Sequence, residues 1–328
     1  MTLENSLPVI WYFLIFVLLS VYMALDGFDL GAGIVHLFLK KEERSVVIKA
    51  IAPYWDGNEV WLLTGGGAVF AAFPKAYATT FSGFYLAMIV VILALIARAC
   101  GIEFRDKVEN DCWKKTWDIT FGIGSLLVPL LLGVALGNII HGLPLDEKGN
   151  YTGTFFELLN PYSLVMGLGV LAVIATHGAL YLANKTSSLR VVALNFAGKS
   201  WWVAIVLCVV IAVWALTVYL RVGVAWPLIL FALAIWRLVM MKIQMSKNEK
   251  RAFISSVSAL VLMFLAVLSC TFPYLVAPVL GESGGLTLFE CASSTYTLTA
   301  MLIITLITLP IVLWYTIYIY KVFAGKVD

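Results

Sequence analysis

The chain has 328 residues, 62% of them hydrophobic and 12% charged, with a formal net charge of +3 and a mean hydropathy of +0.97. A soluble domain carries roughly twice that charged fraction, so composition points to an all-α polytopic membrane protein forming a single integral domain over 1–328. The small, dispersed positive charge gives no footprint for nucleic acid. The five cysteines form no C-x-x-C or C-x-x-C-H pattern, so structural zinc, a c-type haem and a disulfide framework have no support.

The N-terminus, MTLENSLP, lacks the basic region of a cleaved signal, and no separate signal peptide is expected. A membrane-crossing helix needs about 20 mostly apolar residues. About nine such spans follow in chain order, at 9–38, 51–73, 77–98, 118–140, 162–183, 201–220, 225–242, 254–279 and 296–320. The sixth and seventh meet at RVGVAWP, where Arg221, Gly223 and Pro227 favour a tight turn. With nine spans, Lys75, Lys148 and Arg221 fall on one side and every other Lys and Arg on the other. The positive-inside rule then sets the N-terminus outside and the C-terminus in the cytoplasm. FSGFYLAMIVVILALIARAC (81–100) and NPYSLVMGLGVLAVIATHGA (160–179) share a polar-aromatic start and a basic or His residue near the end. They suggest duplicated four-helix units, about 8–140 and 160–280, followed by a final helix at 296–320.

The residues that do not belong in hydrocarbon carry the functional signal. An ionisable group there costs about 2.5 kcal/mol or more. ALDGFDLGAGI (24–34) places Asp26 and Asp29 at i and i+3 on one helix face, about 25 Å from the outer end of the first span. Gly27 and Gly31 offer a small-residue surface to a neighbouring helix, so the acids should face protein. In the second span Asp56 and Glu59 repeat the i, i+3 spacing at the same cytoplasmic depth, and Arg98 closes the third span at that depth. Two readings are open for this layer: an ion-pair network that fixes helices, or a proton pathway. Four acids against one arginine leave carboxylates without a cation.

His36 and His177 lie in the cytoplasmic half and form one geometrically conceivable bis-His haem pair, while His141 sits at the outer surface. A lone histidine in a helix is more often a hydrogen-bonded structural residue. Glu290, in the outer loop before the last span, reads as an interfacial residue or helix cap. The aromatic residues fit membrane belts. No GxGxxG before a helix, Walker loop or HExxH is present, so nucleotide and zinc chemistry are not expected, and no metal site is assigned.

DGFDLGAG (26–33) and PYWDGNEVWLLTGGGAVFAAFP (53–74) resemble the two signature segments of subunit II of cytochrome bd-type quinol oxidases. The likeness continues through FSGFYLAMI (81–89), ARACGIEFRDK (97–107), GNIIHGLPL (137–145), YTGTFFELLNPYSL (151–164), TFPYLVAP (271–278) and TYTLTAMLIITLITLPIVLWYT (295–316). The resemblance implies a bacterial or archaeal cell-membrane subunit that pairs as a heterodimer with a homologous subunit I, in a complex that oxidises quinol and reduces O2 to water. Haems b and d belong to subunit I, and no cofactor is expected on this chain alone. The resemblance associates Asp56 with a cytoplasmic proton route and assigns Asp26 and Asp29 less firmly to proton transfer than to helix packing. It allows a structural quinone or lipid, and small single-helix accessory subunits. Where many relatives carry WDASS-like residues this chain has Phe289 and Glu290 in FECASS, which puts any role of those side chains in doubt. Two other classes compete: a proton-coupled secondary transporter with a cytoplasmic-side acidic site, and a stand-alone dihaem cytochrome using His36 and His177.

Overall fold

A computed structural model describes residues 3–222, 226–279 and 284–328, with the side chains of 3–5, 216–222 and 226 excepted. The chain is a helical bundle: α1 (Leu3–His36), α2 (Lys41–Ile51), α3 (Trp55–Ala72), α4 (Pro74–Gly83), α5 (Tyr85–Phe104), α6 (Asp111–His141), α7 (Pro161–Lys185), α8 (Arg190–Val222), α9 (Trp226–Met245), α10 (Glu249–Thr271) and α11 (Thr295–Val322). Eight of these helices are long and apolar enough to cross a membrane: α1, α5, α6, α7, α8, α9, α10 and α11. The expected second span corresponds to α3, which has only 18 residues and begins with the polar run Asp56–Glu59.

Several boundaries differ from the hydropathy reading for local reasons. Pro74 starts a separate short helix, α4, and Phe84 breaks the chain before α5. The third crossing therefore runs to Phe104, and Arg98 lies within its helix rather than at its end. The eighth crossing ends at Thr271, short of the expected 279, and the chain then pairs Tyr274–Val276 with Leu286–Thr287 as a two-stranded antiparallel sheet. The turn expected at 221–227 falls in part on residues outside those described.

Polar side chains mark the helix starts. Asn110 accepts from the amides of Cys112 and Trp113, Asn160 from Ser163 before Pro161 in the first turn, and Asn248 from Arg251. At the end of α6, Gly142 takes φ +91, and any Cβ there would meet the Pro278 carbonyl.

Helix α7 is the axle. It packs against α1, α6, α8 and α10, and most of its residues are buried. Its approach to α1 is backbone to backbone: a Cβ on Gly31 would fall on the Ile174 carbonyl and Gly178, and one on Gly178 would fall on Gly31. Gly27 faces Ile174 in the same seam. The small-residue stripe read from DGFDLGAG is thus where α7 seats. Helix α11 lies at the other extreme, touching α1 and α3 and burying only Leu298 fully.

Candidate functional site

The α1–α7 contact turns the acidic stretch of α1 into the bundle, and both carboxylates are fully buried. Asp26 meets Arg98 of α5, with Nη2 2.7 Å from Oδ1. The other terminal nitrogen of Arg98 donates to Glu59 of α3 at 2.6 Å. One guanidinium therefore joins acids from two helices, and the Tyr22 hydroxyl lies against Asp26 one turn earlier on α1. The Glu59 side chain retains 21% of its exposure, whereas Arg98 and Asp26 retain none.

Asp29 has a different partner. The Asn58 amide of α3 donates to its Oδ2 at 2.7 Å, and the Tyr320 hydroxyl of α11 donates to the Asn58 carbonyl oxygen at 3.0 Å. Tyr320 in turn stacks on Tyr54 with ring centroids 4.6 Å apart. The Tyr54 hydroxyl donates to the Phe323 carbonyl at 2.7 Å and accepts from Lys185 at 3.0 Å. A polar thread thus runs from the Lys185 end of the bundle through Tyr54, Tyr320 and Asn58 to Asp29, with a ring stack in place of a hydrogen bond between the two tyrosines. Asp26, Arg98 and Glu59 form the next linked set, beginning one turn from Asp29 on α1.

The layer expected from the sequence is corrected at one position. Asp56 is exposed on the surface of this chain rather than buried with the others, because it lies on the side of the first turn of α3 opposite Asn58, which meets α1. Asn58, two residues on, turns inward in its place and is buried. As a neutral amide, Asn58 gave no signal against the hydropathy background, and Tyr320 was one aromatic residue among many.

A second buried cluster escaped the sequence reading. Asp118 of α6 accepts from Arg105 Nε at 2.5 Å and from Arg44 Nη1 at 3.2 Å, and pairs with His36 Nε2 at 2.8 Å. Arg105 also reaches Asp106 and Ser45. The residue pattern had set Asp118 only at the start of a span and the arginines only among the basic loop residues.

His36 and His177 are not placed as a bis-His pair around one iron. His177 is engaged at both ring nitrogens, Nδ1 to Ser256 Oγ at 2.7 Å and Nε2 to the Ala24 carbonyl at 3.0 Å. Its ring packs beside Gly27 and stacks on Phe253. His36 lies nine residues beyond Gly27 along α1, about 13 Å away, and is held by Asp118. A shared iron needs both rings at one level with free nitrogens. Glu290 is exposed and accepts from the amide and hydroxyl of Thr287, a local cap that holds its carboxyl below the usual range. Among the described residues no group of three or more His, Cys, Asp or Glu is placed to hold a metal ion.

The model of the family described as cytochrome bd terminal oxidase subunit II matches residues 7–323. The chain belongs to that family. Subunit 2 of the cytochrome bd-I ubiquinol oxidase of Escherichia coli K12 is 34% identical, with 97% of this chain and 94% of that protein covered. Subunit 2 of the cytochrome bd ubiquinol oxidase of Bacillus subtilis 168 is also 34% identical, over 98% of this chain and 97% of its own length. A solved structure of the bd oxidase from Geobacillus thermodenitrificans shares the fold, with a TM-score of 0.77 and 17% identity over 97% of this chain and 98% of that one. Family membership makes this chain one subunit of a bd-type terminal oxidase, a multi-pass protein of the cell membrane whose complex contains haem and a subunit I. The transporter reading is not favoured.

Proposed function

We propose that this chain is the haem-free subunit that braces the haem-bearing subunit I and carries protons from the cytoplasm toward it, in a complex that oxidises quinol and reduces O2 to water. Bound on subunit I, the haems would supply the electron transfer and oxygen chemistry. The residues of this chain hold and pass protons beside them. The charge asymmetry of the loops sets the Lys185 end of the bundle in the cytoplasm. The polar thread begins there, at Tyr54, Lys185 and Tyr320, and reaches Asp29, Asp26, Arg98 and Glu59.

The observation that carries this reading is the place where the thread emerges. Glu59 is partly exposed, and Asp56, one turn away on α3, is exposed on a helix whose outward positions include Val60, Leu63 and Phe70. Helix α11 lies next to this face with almost its whole length uncovered. An apolar surface bearing a carboxylate fits a protein partner better than lipid tails, so the α3–α11 face is where subunit I would dock. A proton on Glu59 would then be handed across the subunit boundary through Asp56.

Asp56→Asn tests this without disturbing the buried pairs. The variant should assemble with its haems and consume oxygen several-fold more slowly. Assembly with parental turnover from neutral to alkaline pH would refute the proton role. Loss of assembly would replace it with a purely structural one.

A further inference from the structure

Arg237 is a cation inside the membrane-spanning helices with no carboxylate partner among the described residues. Arg237 lies on α9, eight residues before its end at Met245, which is about 12 Å inside the helix. Its Nη2 donates to Ser258 of α10 at 3.0 Å, its guanidinium lies 5.6 Å from the Trp236 ring, and its Nε is buried without a partner. Ser258 is nine residues into α10, about 13 Å from the start of that helix, so the guanidinium is held at that depth and does not reach the helix ends. Among the described residues no carboxylate lies within ion-pair distance of it. The contrast with Arg98, which has two carboxylates, is complete.

An unpaired cation at this depth is costly, and an anion from outside the chain would relieve it. Helix α9 packs chiefly against α8 and α10 and stands apart from α3 and α11. Its outward side chains Ile229, Leu233, Trp236 and Ile243 are apolar and exposed, as is Ile254 of α10. Arg251, Ile254 and Ser258 follow at i, i+3 and i+7, one face of α10 leading from the basic end up to Arg237. That end carries Lys242, Lys247, Lys250 and Arg251, while the local acid Glu249 is already paired with Arg190. An apolar α9–α10 face with a cationic end and one deep guanidinium matches an acyl chain pair under a negatively charged headgroup.

We propose that the exposed α9–α10 face binds an anionic phospholipid, with Arg237 drawing in the phosphate–glycerol region and the basic end of the two helices selecting net negative charge. The site is separate from the proton thread, none of whose residues lies on α9 or α10.

The test uses the intact oxidase complex in nanodiscs of phosphatidylglycerol or phosphatidylcholine, returned to detergent, with retained lipid counted by native mass spectrometry. The parent should retain phosphatidylglycerol in preference to phosphatidylcholine. Arg237→Gln should lower that retention at least fivefold, Arg237→Lys should keep part of it, and Lys75→Gln should leave it at the parental level. Equal retention of the two lipids by the parent, or undiminished phosphatidylglycerol on Arg237→Gln, overturns the proposal. So does loss of a polypeptide from the Arg237→Gln complex with its lipid unchanged, which would make the anion a protein carboxylate. If Arg237→Gln fails to assemble, Ser258→Ala, which keeps the charge but frees the guanidinium, should still weaken retention. Parental retention there is equally adverse.

Discussion

Arg98 and Asp26 meet at 2.7 Å with neither side chain exposed at all, and the same guanidinium holds Glu59 from a third helix. An ion pair withdrawn this far from water recovers little more than its own desolvation cost, so it adds little net stability while intact. Breaking it is another matter, because the surviving charge stays buried. Arg98→Leu should destabilise the subunit by about 3–5 kcal/mol, read as a fall in Tm or loss of haem-containing complex during purification. A parental Tm would mean that the acids find other partners.

The α1–α7 seam makes a steric prediction. Gly31→Ala puts a methyl group onto backbone atoms of α7, which cannot yield as a side chain would. Overpacking of this kind costs about 1–3 kcal/mol or more. Gly198→Ala on α8 meets only the flexible end of Lys242 and should be neutral or stabilising by about 0.4–1 kcal/mol. Thermal denaturation of the two variants side by side should order them clearly. Equal Tm values would count against the backbone contact.

Asp118 predicts a separation of stability from turnover. Its carboxylate answers Arg105, Arg44 and His36 at once, at a distance from the acid thread. Asp118→Asn should lower stability by about 2 kcal/mol or more, since it leaves the buried Arg105 with only Asp106 as a charged partner. Turnover per assembled haem should stay parental. A changed pH profile of oxygen consumption would place Asp118 in the proton route instead.

The loop between α6 and α7 should titrate in acid. Asp146 accepts from the Asn150 side chain and from the amides of Asn150 and Lys148, and these bonds hold its carboxyl below the ordinary value. A depressed native pKa stabilises the folded loop fully above the unfolded value of about 3.9, and the effect is lost as pH falls through the lower native value. Protection of the Lys148 and Asn150 amides, measured as exchange relative to the intrinsic rate at each pH, should therefore fall in acid in the parent. In Asp146→Ala protection should be low at every pH, and a pH-independent parent would contradict the assignment.

The fold was legible wherever hydropathy alone decides, and less so at the ends of its helices. Eight crossings carry long apolar runs, whereas α3, which the same hydropathy reading set at 51–73, has only 18 residues. Asp26, Asp29, Glu59 and Arg98 stood out because charge in hydrocarbon is expensive. Asp56 lies on the surface of this chain while Glu59 reaches Arg98, because i, i+3 spacing tells which residues share a face but not how deeply each position is covered. Asn58 and Tyr320 were invisible for a different reason. They are 262 positions apart, neither is charged, and only the return of α11 onto α3 brings them to 3.0 Å.

Proton uptake tests the central claim most directly. Fully reduced complex reconstituted in vesicles is mixed with O2, and proton uptake from the cytoplasmic side is followed in the parent and in Glu59→Gln, which leaves the Arg98–Asp26 pair intact. The account predicts uptake slowed at least tenfold with haem content unchanged. Uptake at the parental rate in a fully assembled Glu59→Gln complex would contradict it.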